Sequence, residues 1–145
     1  MKISTKGRYS VTALYELALH YGEGALPLKL ISQKQGISEN YLEQLMGTLR
    51  KAGLVKSVRG AQGGYMLART PDKYSVGEIV RLTEASLSPV ACLDTEPIGC
   101  DRRADCATLP IWIGLDKVIS SYLDSITLQD ILDQQRARQV DNYMI

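Results

Sequence analysis

The stretch Ile37–Leu67, ISENYLEQLMGTLRKAGLVKSVRGAQGGYML, decides the fold. Ser38 is a good helix N-cap, and Gly53 a good C-terminal stop. Between them Leu42, Leu45, Met46 and Leu49 recur at three- and four-residue steps, which makes one buried helical face. Glu39, Asn40, Glu43, Gln44, Thr48 and Lys51 lie on the other sides. Leu54–Val58 and Tyr65–Leu67 then read as short strands joined by the glycine-rich RGAQGG. A helix with an open polar face, followed by a hairpin with a basic tip, is the layout of a DNA-reading helix and its wing. Arg59, at the base of the tip, suits the concentrated negative potential of a minor groove.

Upstream, Gly36 permits a tight turn and Ile37 plugs the angle between two helices. The preceding helix spans about Leu28–Gln35, with Leu28, Ile31 and Leu30 expected inward. A first helix over Lys6–Tyr21 carries Tyr9, Ala13, Leu14, Leu17, Ala18 and Tyr21 on one face and is stopped by Gly22 and Gly24. Lys2, Lys6 and Arg8 crowd its start, where positive charge opposes the helix dipole unless it faces phosphates.

Downstream, Ser75 and Glu78 have capping-box spacing for a helix from Val76 to about Ala85, with Ile79, Val80 and Leu82 buried. Residues 86–110, SLSPVACLDTEPIGCDRRADCATLP, lack periodicity and read as a long loop. Pro110 opens a long helix with an apolar stripe of Ile111, Trp112, Leu115, Val118, Ile119, Tyr122, Leu123 and Ile126. That stripe needs a cover: a two-fold partner helix, the first helix of the same chain, or both together. Thr127 and Asp130 cap a short helix over TLQDILDQQ, and RARQVDNYMI is expected to be loosely held. The fold class is therefore mainly α with a small β-wing. It divides into a winged helix-turn-helix domain (1–86), a cysteine-containing loop (87–108), a dimerisation helix with a short C-terminal helix (109–135) and a flexible tail (136–145).

Charge supports a polyanion partner for the first half only. Residues 1–69 hold ten Lys or Arg against four Glu, and the remainder seven basic against twelve acidic residues. No apolar run approaches the roughly 18–20 residues of a membrane span, and MKISTKGRYS lacks a signal-peptide core, so a soluble cytoplasmic protein is expected. An enzyme is not: there is no phosphate loop, no supported Ser–His or Cys–His pairing, and one histidine.

All three cysteines fall in one loop as C-x7-C-x5-C: Cys92, Cys100 and Cys106. Clustered thiolates point to a reduced compartment and a shared soft or borderline metal. Spacing alone does not separate an iron–sulfur cluster from a zinc site with one other ligand, or from redox-reactive thiols without metal.

In MKISTKGRYSVTAL, the Ile37–Tyr65 block, the cysteine loop and SITLQDIL, the chain resembles the IscR-like family of bacterial winged-helix regulators over residues 1 to about 135. The resemblance implies a homodimeric transcription factor on double-stranded DNA, with Asn40, Tyr41, Glu43 and Gln44 on the exposed part of the recognition helix. Gln44 suits adenine and Glu43 suits cytosine N4. Arg59 matches the family's minor-groove arginine, while Arg50, Lys56 and the N-terminal lysines hold phosphates.

Several members carry a 2Fe-2S cluster, which here would fall to Cys92, Cys100 and Cys106. Where the best-known members place a histidine ligand, three residues after the third cysteine, this chain has Leu109, although Trp112 keeps the register. Candidates for the fourth ligand are Glu43, Asp101, Asp105, His20, a small molecule or water. Some relatives use a first-helix carboxylate, but Arg8 and Tyr9 stand there. The function implied is sensing of iron–sulfur status and control of iron–sulfur assembly genes. Regulation of cysteine or sulfur metabolism or of nitric oxide stress is an alternative, and a metal–thiol redox or cluster-carrier protein is one of another class.

Overall fold

The first helix, α1 (Thr5–Leu19), buries Ala13, Leu14, Leu17 and Ala18 and is the element on which the others assemble. In the computed structural model, which describes residues 1–144, α2 (Leu28–Gln35) and α3 (Glu39–Lys51) follow. Gly36 takes a left-handed conformation (φ 67°) between them, and Ile37 is buried beneath the turn. The Ser38 hydroxyl accepts from Tyr41 N–H, so α3 starts where its cap dictates. All four expected α3 side chains, Leu42, Leu45, Met46 and Leu49, are buried. Leu30 is 50% exposed, because α2 is short and shows only Ile31 fully to the core. Tyr21 is also outside: α1 ends at Leu19 and the chain turns through Gly22 at φ 86°.

The wing pairs β1 (Val55–Val58) antiparallel with β2 (Gly64–Leu67), Val55 opposite Leu67 and Val58 opposite Gly64. Leu26 adds a single bridge on the other edge of β2. Its N–H donates to Tyr65 O at 2.8 Å, and Tyr65 N–H donates back to Leu26 O at 3.0 Å. A Cβ at Gly64 would strike the Leu26 carbonyl, so glycine is what lets the two chains approach.

A single-turn helix at Pro71–Lys73 leads to Tyr74, which is fully buried. Its hydroxyl donates to Leu54 O at 2.6 Å and accepts from Ala68 and Arg69 N–H, both at 3.0 Å. The Arg69 guanidinium lies 4.4 Å from the Tyr74 ring centroid and pairs with Glu78 at 3.0 Å. Ser75 caps α4 (Val76–Arg81) through Glu78 N–H, but the Glu78 side chain is taken by Arg69. The expected box is therefore half-built. The helix stops at Arg81, short of the expected Ala85, and Leu82 is 40% exposed.

The long helix α5 (Leu109–Ser125) packs on α4, where Arg81 grips Asp124 with both terminal nitrogens at 2.5 and 3.1 Å. The last helix, α6 (Leu128–Tyr143), is the one that covers α1, burying Leu128 and Leu132. Helix 1 is thus not the cover of the α5 stripe. Thr127 and Asp130 form a complete capping box. The short helix expected to end near Gln135 runs on through Tyr143, since Arg136, Ala137, Arg138 and Gln139 favour helix and no glycine or proline interrupts them. That extension occupies most of the stretch expected as a loose tail. No described helix is long and apolar enough to cross a membrane.

Candidate nucleic-acid interface and cysteine loop

The outer face of α3 carries Asn40, Glu43 and Gln44, all exposed. Tyr41 is half-buried, its ring edge-on to Tyr9 of α1 with centroids 5.8 Å apart. It anchors α3 to α1 as well as bordering the open face. Lys6 of α1 lines one cleft together with Tyr41, Gln44 and Thr48. The basic start of α1 therefore stands beside the polar face of α3, a relation that sequence periodicity alone does not give. Arg50 is exposed in the last turn of α3, Lys56 on β1 and Arg59 at the wing tip. The tip is closed by Gly63 N–H donating to Gly60 O at 2.9 Å. A Cβ at Gly63 would meet the Val58 carbonyl, which explains a glycine there.

The cysteine loop is rooted on α4 and leans on α5. Glu84–Ser88 and Asp94 line a polar cavity of about 330 Å³ with Arg81, Asp116 and Ser120. Leu93, Thr95, Glu96 and Ile98 line a second cavity with Ile113, Asp116 and Lys117 further along. Within the loop, Ser86 Oγ donates to Asp94 Oδ1 at 2.5 Å, and Ser88 Oγ to Leu93 O at 3.2 Å. Cys92, Cys100 and Cys106 are all free thiols and half-buried. The Thr108 hydroxyl, 3.5 Å from the sulfur, holds the Cys106 thiol below its ordinary range, with further help from backbone N–H groups and Arg102.

Among the described residues no three His, Cys, Asp or Glu side chains converge as a metal site. The loop therefore brings the three thiols into one segment without assembling them, and none of Glu43, Asp101, Asp105 or His20 completes a set. His20 Nδ1 is instead 2.8 Å from Glu23 Oε2, Glu43 stands on α3, and both loop aspartates are exposed. Sequence reasoning missed Glu84, Tyr74 and the buried Glu16. The last is held by Lys34 Nζ at 3.0 Å and by Gln35, tying α1 to the end of α2.

The model of the Rrf2 family, described as iron-dependent transcriptional regulators, matches residues 3–134. The chain belongs to the Rrf2 family. The HTH-type transcriptional regulator IscR of Aliivibrio salmonicida is 45% identical over 142 residues, covering 98% of this chain and 83% of that protein. The solved structure of T. potens IscR is 48% identical with a TM-score of 0.77, covering 96% of this chain and 91% of that one. That of CymR, the global cysteine regulator of B. subtilis, is 47% identical with a TM-score of 0.76, covering 92% and 98%. This Rrf2 protein is accordingly a DNA-binding transcription regulator and not an enzyme.

Proposed function

We propose that the protein is a homodimeric regulator that senses iron–sulfur status through a 2Fe-2S cluster and controls iron–sulfur assembly genes. The observation that supports the DNA contact is the shared cleft of Lys6, Tyr41, Gln44 and Thr48: the Lys6 ammonium, suited to a phosphate, lies beside Gln44, suited to a base edge. Gln44 pairs with adenine and Glu43 accepts from cytosine N4, while Asn40 borders them. Lys6, Arg50 and Lys56 set the register on phosphates, and Arg59 enters the minor groove.

The donor chemistry of the loop fits a cluster: three thiols within fifteen residues, one already biased toward thiolate by Thr108. Cys92, Cys100 and Cys106 would hold it, with a carboxylate from Asp101, Asp105 or Glu43 as the favoured fourth ligand. Bound there, the group supplies a redox-responsive cross-link between parts of the loop. The chain's own share is mechanical. The loop root lies on α4 and its body on α5, so ordering the loop fixes what these helices touch.

A second reading, regulation of cysteine metabolism, is favoured by the likeness to CymR and by Leu109 at the position of the family histidine. One experiment separates them. The protein is purified without oxygen, analysed for iron, sulfide and zinc, and titrated onto operator DNA beside a variant with all three cysteines changed to alanine. About two iron and two sulfide per chain, with DNA affinity that changes when the cysteines are replaced, supports the cluster reading. A colourless protein after reconstitution, with unchanged affinity, removes it and leaves sulfur-metabolite sensing.

A further inference from the structure

Helix α1 begins with half a capping box. Ser4 is the N-cap, and its hydroxyl accepts from Gly7 N–H at 3.0 Å. In a complete box the residue at position 7 would be Glu or Gln, and its side chain would accept from the N-cap backbone N–H. Glycine cannot do this, and the first turn of α1 contains no acidic residue. The missing acceptor comes from eighty residues away: Glu84 Oε1 accepts from Ser4 N–H at 3.0 Å and from Ser4 Oγ at 2.5 Å. The space for it exists because residue 7 lacks a side chain, since a Cβ there would strike that same carboxylate oxygen. Glu84 also brings negative charge to a helix N-terminus otherwise surrounded by Lys2, Lys6 and Arg8.

Glu84 touches two regions. It lies three residues beyond the end of α4, and it lines the polar cavity formed with Ala85–Ser88 and Asp94. Asp94 is in turn bonded to Ser86 and lies two residues from Cys92. On the other side, Ser4 shares a surface cleft with Lys2 and Arg8. We propose that Glu84 is a positioning residue that completes the capping box of α1 and ties the root of the cysteine loop to the phosphate-binding start of that helix. When the loop root moves, the Ser4 N–H is left without its acceptor, the first turn of α1 frays, and Lys2, Lys6 and Arg8 no longer hold a fixed geometry. Release of Glu84 thereby weakens DNA binding through phosphates without touching a base-reading side chain. The coupling to the loop rests on the sensing role proposed above; the cap itself does not.

The test uses the full-length protein with Glu84→Ala, Glu84→Gln and Ser4→Ala. Glutamine keeps a carbonyl oxygen that accepts from Ser4, so it rescues what alanine removes. Glu84→Ala and Ser4→Ala are expected to speed amide exchange at positions 4, 7 and 8, whose N–H groups hold the first turn, by about fivefold or more, with core amides unchanged. The slope of log affinity against log salt on operator DNA should fall by about one for each phosphate that is no longer neutralised, and Glu84→Gln should retain both wild-type values. Unchanged exchange and salt slope in Glu84→Ala overturn the proposal. So does an equal effect in Glu84→Gln, which would make charge rather than capping the active property. Each variant is then combined with the triple cysteine-to-alanine change. If that change alters DNA affinity in the wild type but not in Glu84→Ala, the latch carries the signal. If it alters affinity equally in both, the coupling is overturned. If it alters affinity in neither while the cap effects stand, the sensing reading fails and Glu84 remains a positioning residue for DNA.

Discussion

Tyr74 donates its phenolic proton to the Leu54 carbonyl at 2.6 Å from a fully buried position. The same oxygen accepts from Ala68 and Arg69 N–H, so one side chain satisfies three backbone groups on the two sides of the wing. Ala68 N–H also donates to Leu54 O at 3.1 Å, so removing the hydroxyl leaves Arg69 N–H as the group without an acceptor. Tyr74→Phe is therefore expected to lower stability by about 1–3 kcal/mol, measurable as a fall in the urea midpoint at unchanged m-value. An unchanged midpoint would mean that water replaces the hydroxyl.

The glycines of the wing differ in what they do. Gly64 has φ 153° and its missing Cβ makes room for the Leu26 carbonyl, whereas Gly60 has φ 108° and open space around it. Gly60→Ala meets only backbone strain, on the order of 1 kcal/mol. Gly64→Ala must also push Leu26 off the sheet, breaking two hydrogen bonds, and is expected to cost about 2–3 kcal/mol. The order of the two urea midpoints checks this, and equal shifts would show that the Leu26 bridge contributes nothing.

Much of the fold is legible in the sequence, for physical reasons. Helices with their own caps and a clean three–four period, such as α3, announce both ends and the buried face. So do turns that only glycine tolerates, such as Gly36. Signals that depend on distant partners are not legible. The Ser75–Glu78 spacing suggests a box, but Arg69 competes for Glu78. The Ser4–Gly7 spacing suggests none, yet Glu84 completes one. Helix α6 outruns its apolar period because its polar last turns carry no such signal, although intrinsic propensity sustains them. The cysteines are visible as a group, but their spatial relation depends on loop geometry that no periodicity encodes.

The Arg81–Asp124 pair gives the α4–α5 contact a pH dependence of known sign. The Arg81 guanidinium holds the Asp124 carboxyl below the ordinary carboxylate range, despite some opposing desolvation. The folded state thus binds fewer protons than the unfolded one around that range. The pair's contribution is present above the unfolded value and disappears as pH falls through the lower folded value. Both side chains are over two-fifths exposed, so the effect is small and screened by salt. Comparing urea midpoints between pH 7 and pH 3, Asp124→Asn should show a shallower acid decline than the wild type. Parallel curves would remove the pair from the acid sensitivity.

Base reading and phosphate holding separate in their salt and sequence dependence. Gln44→Ala is expected to weaken the cognate site by about 1–3 kcal/mol and random DNA much less. Lys56→Ala should weaken both alike and lower the salt slope by about one. Fluorescence anisotropy at several salt concentrations distinguishes the two, and equal weakening on both DNAs for Gln44→Ala would end its reading role.

The open side of α5 bears on assembly. Ile111, Leu115, Val118 and Tyr122 are 60, 41, 66 and 63% exposed, while Trp112, Ile119 and Leu123 on the neighbouring side are half-buried. The exposed four follow steps of four, three and four, so they form one continuous seam along the helix. A second copy of the same seam, crossing it about a two-fold axis, would cover both at once, which is the basis for the proposed homodimer. Because none of the four is buried in the single chain, a charge there leaves the monomer's packing intact but opposes the interface. Val118→Glu is expected to shift the protein from dimer to monomer by light scattering and to weaken binding to a two-half-site operator far more than to one half-site. A dimer that persists in Val118→Glu and in Tyr122→Glu would place the interface elsewhere and leave the seam without its partner.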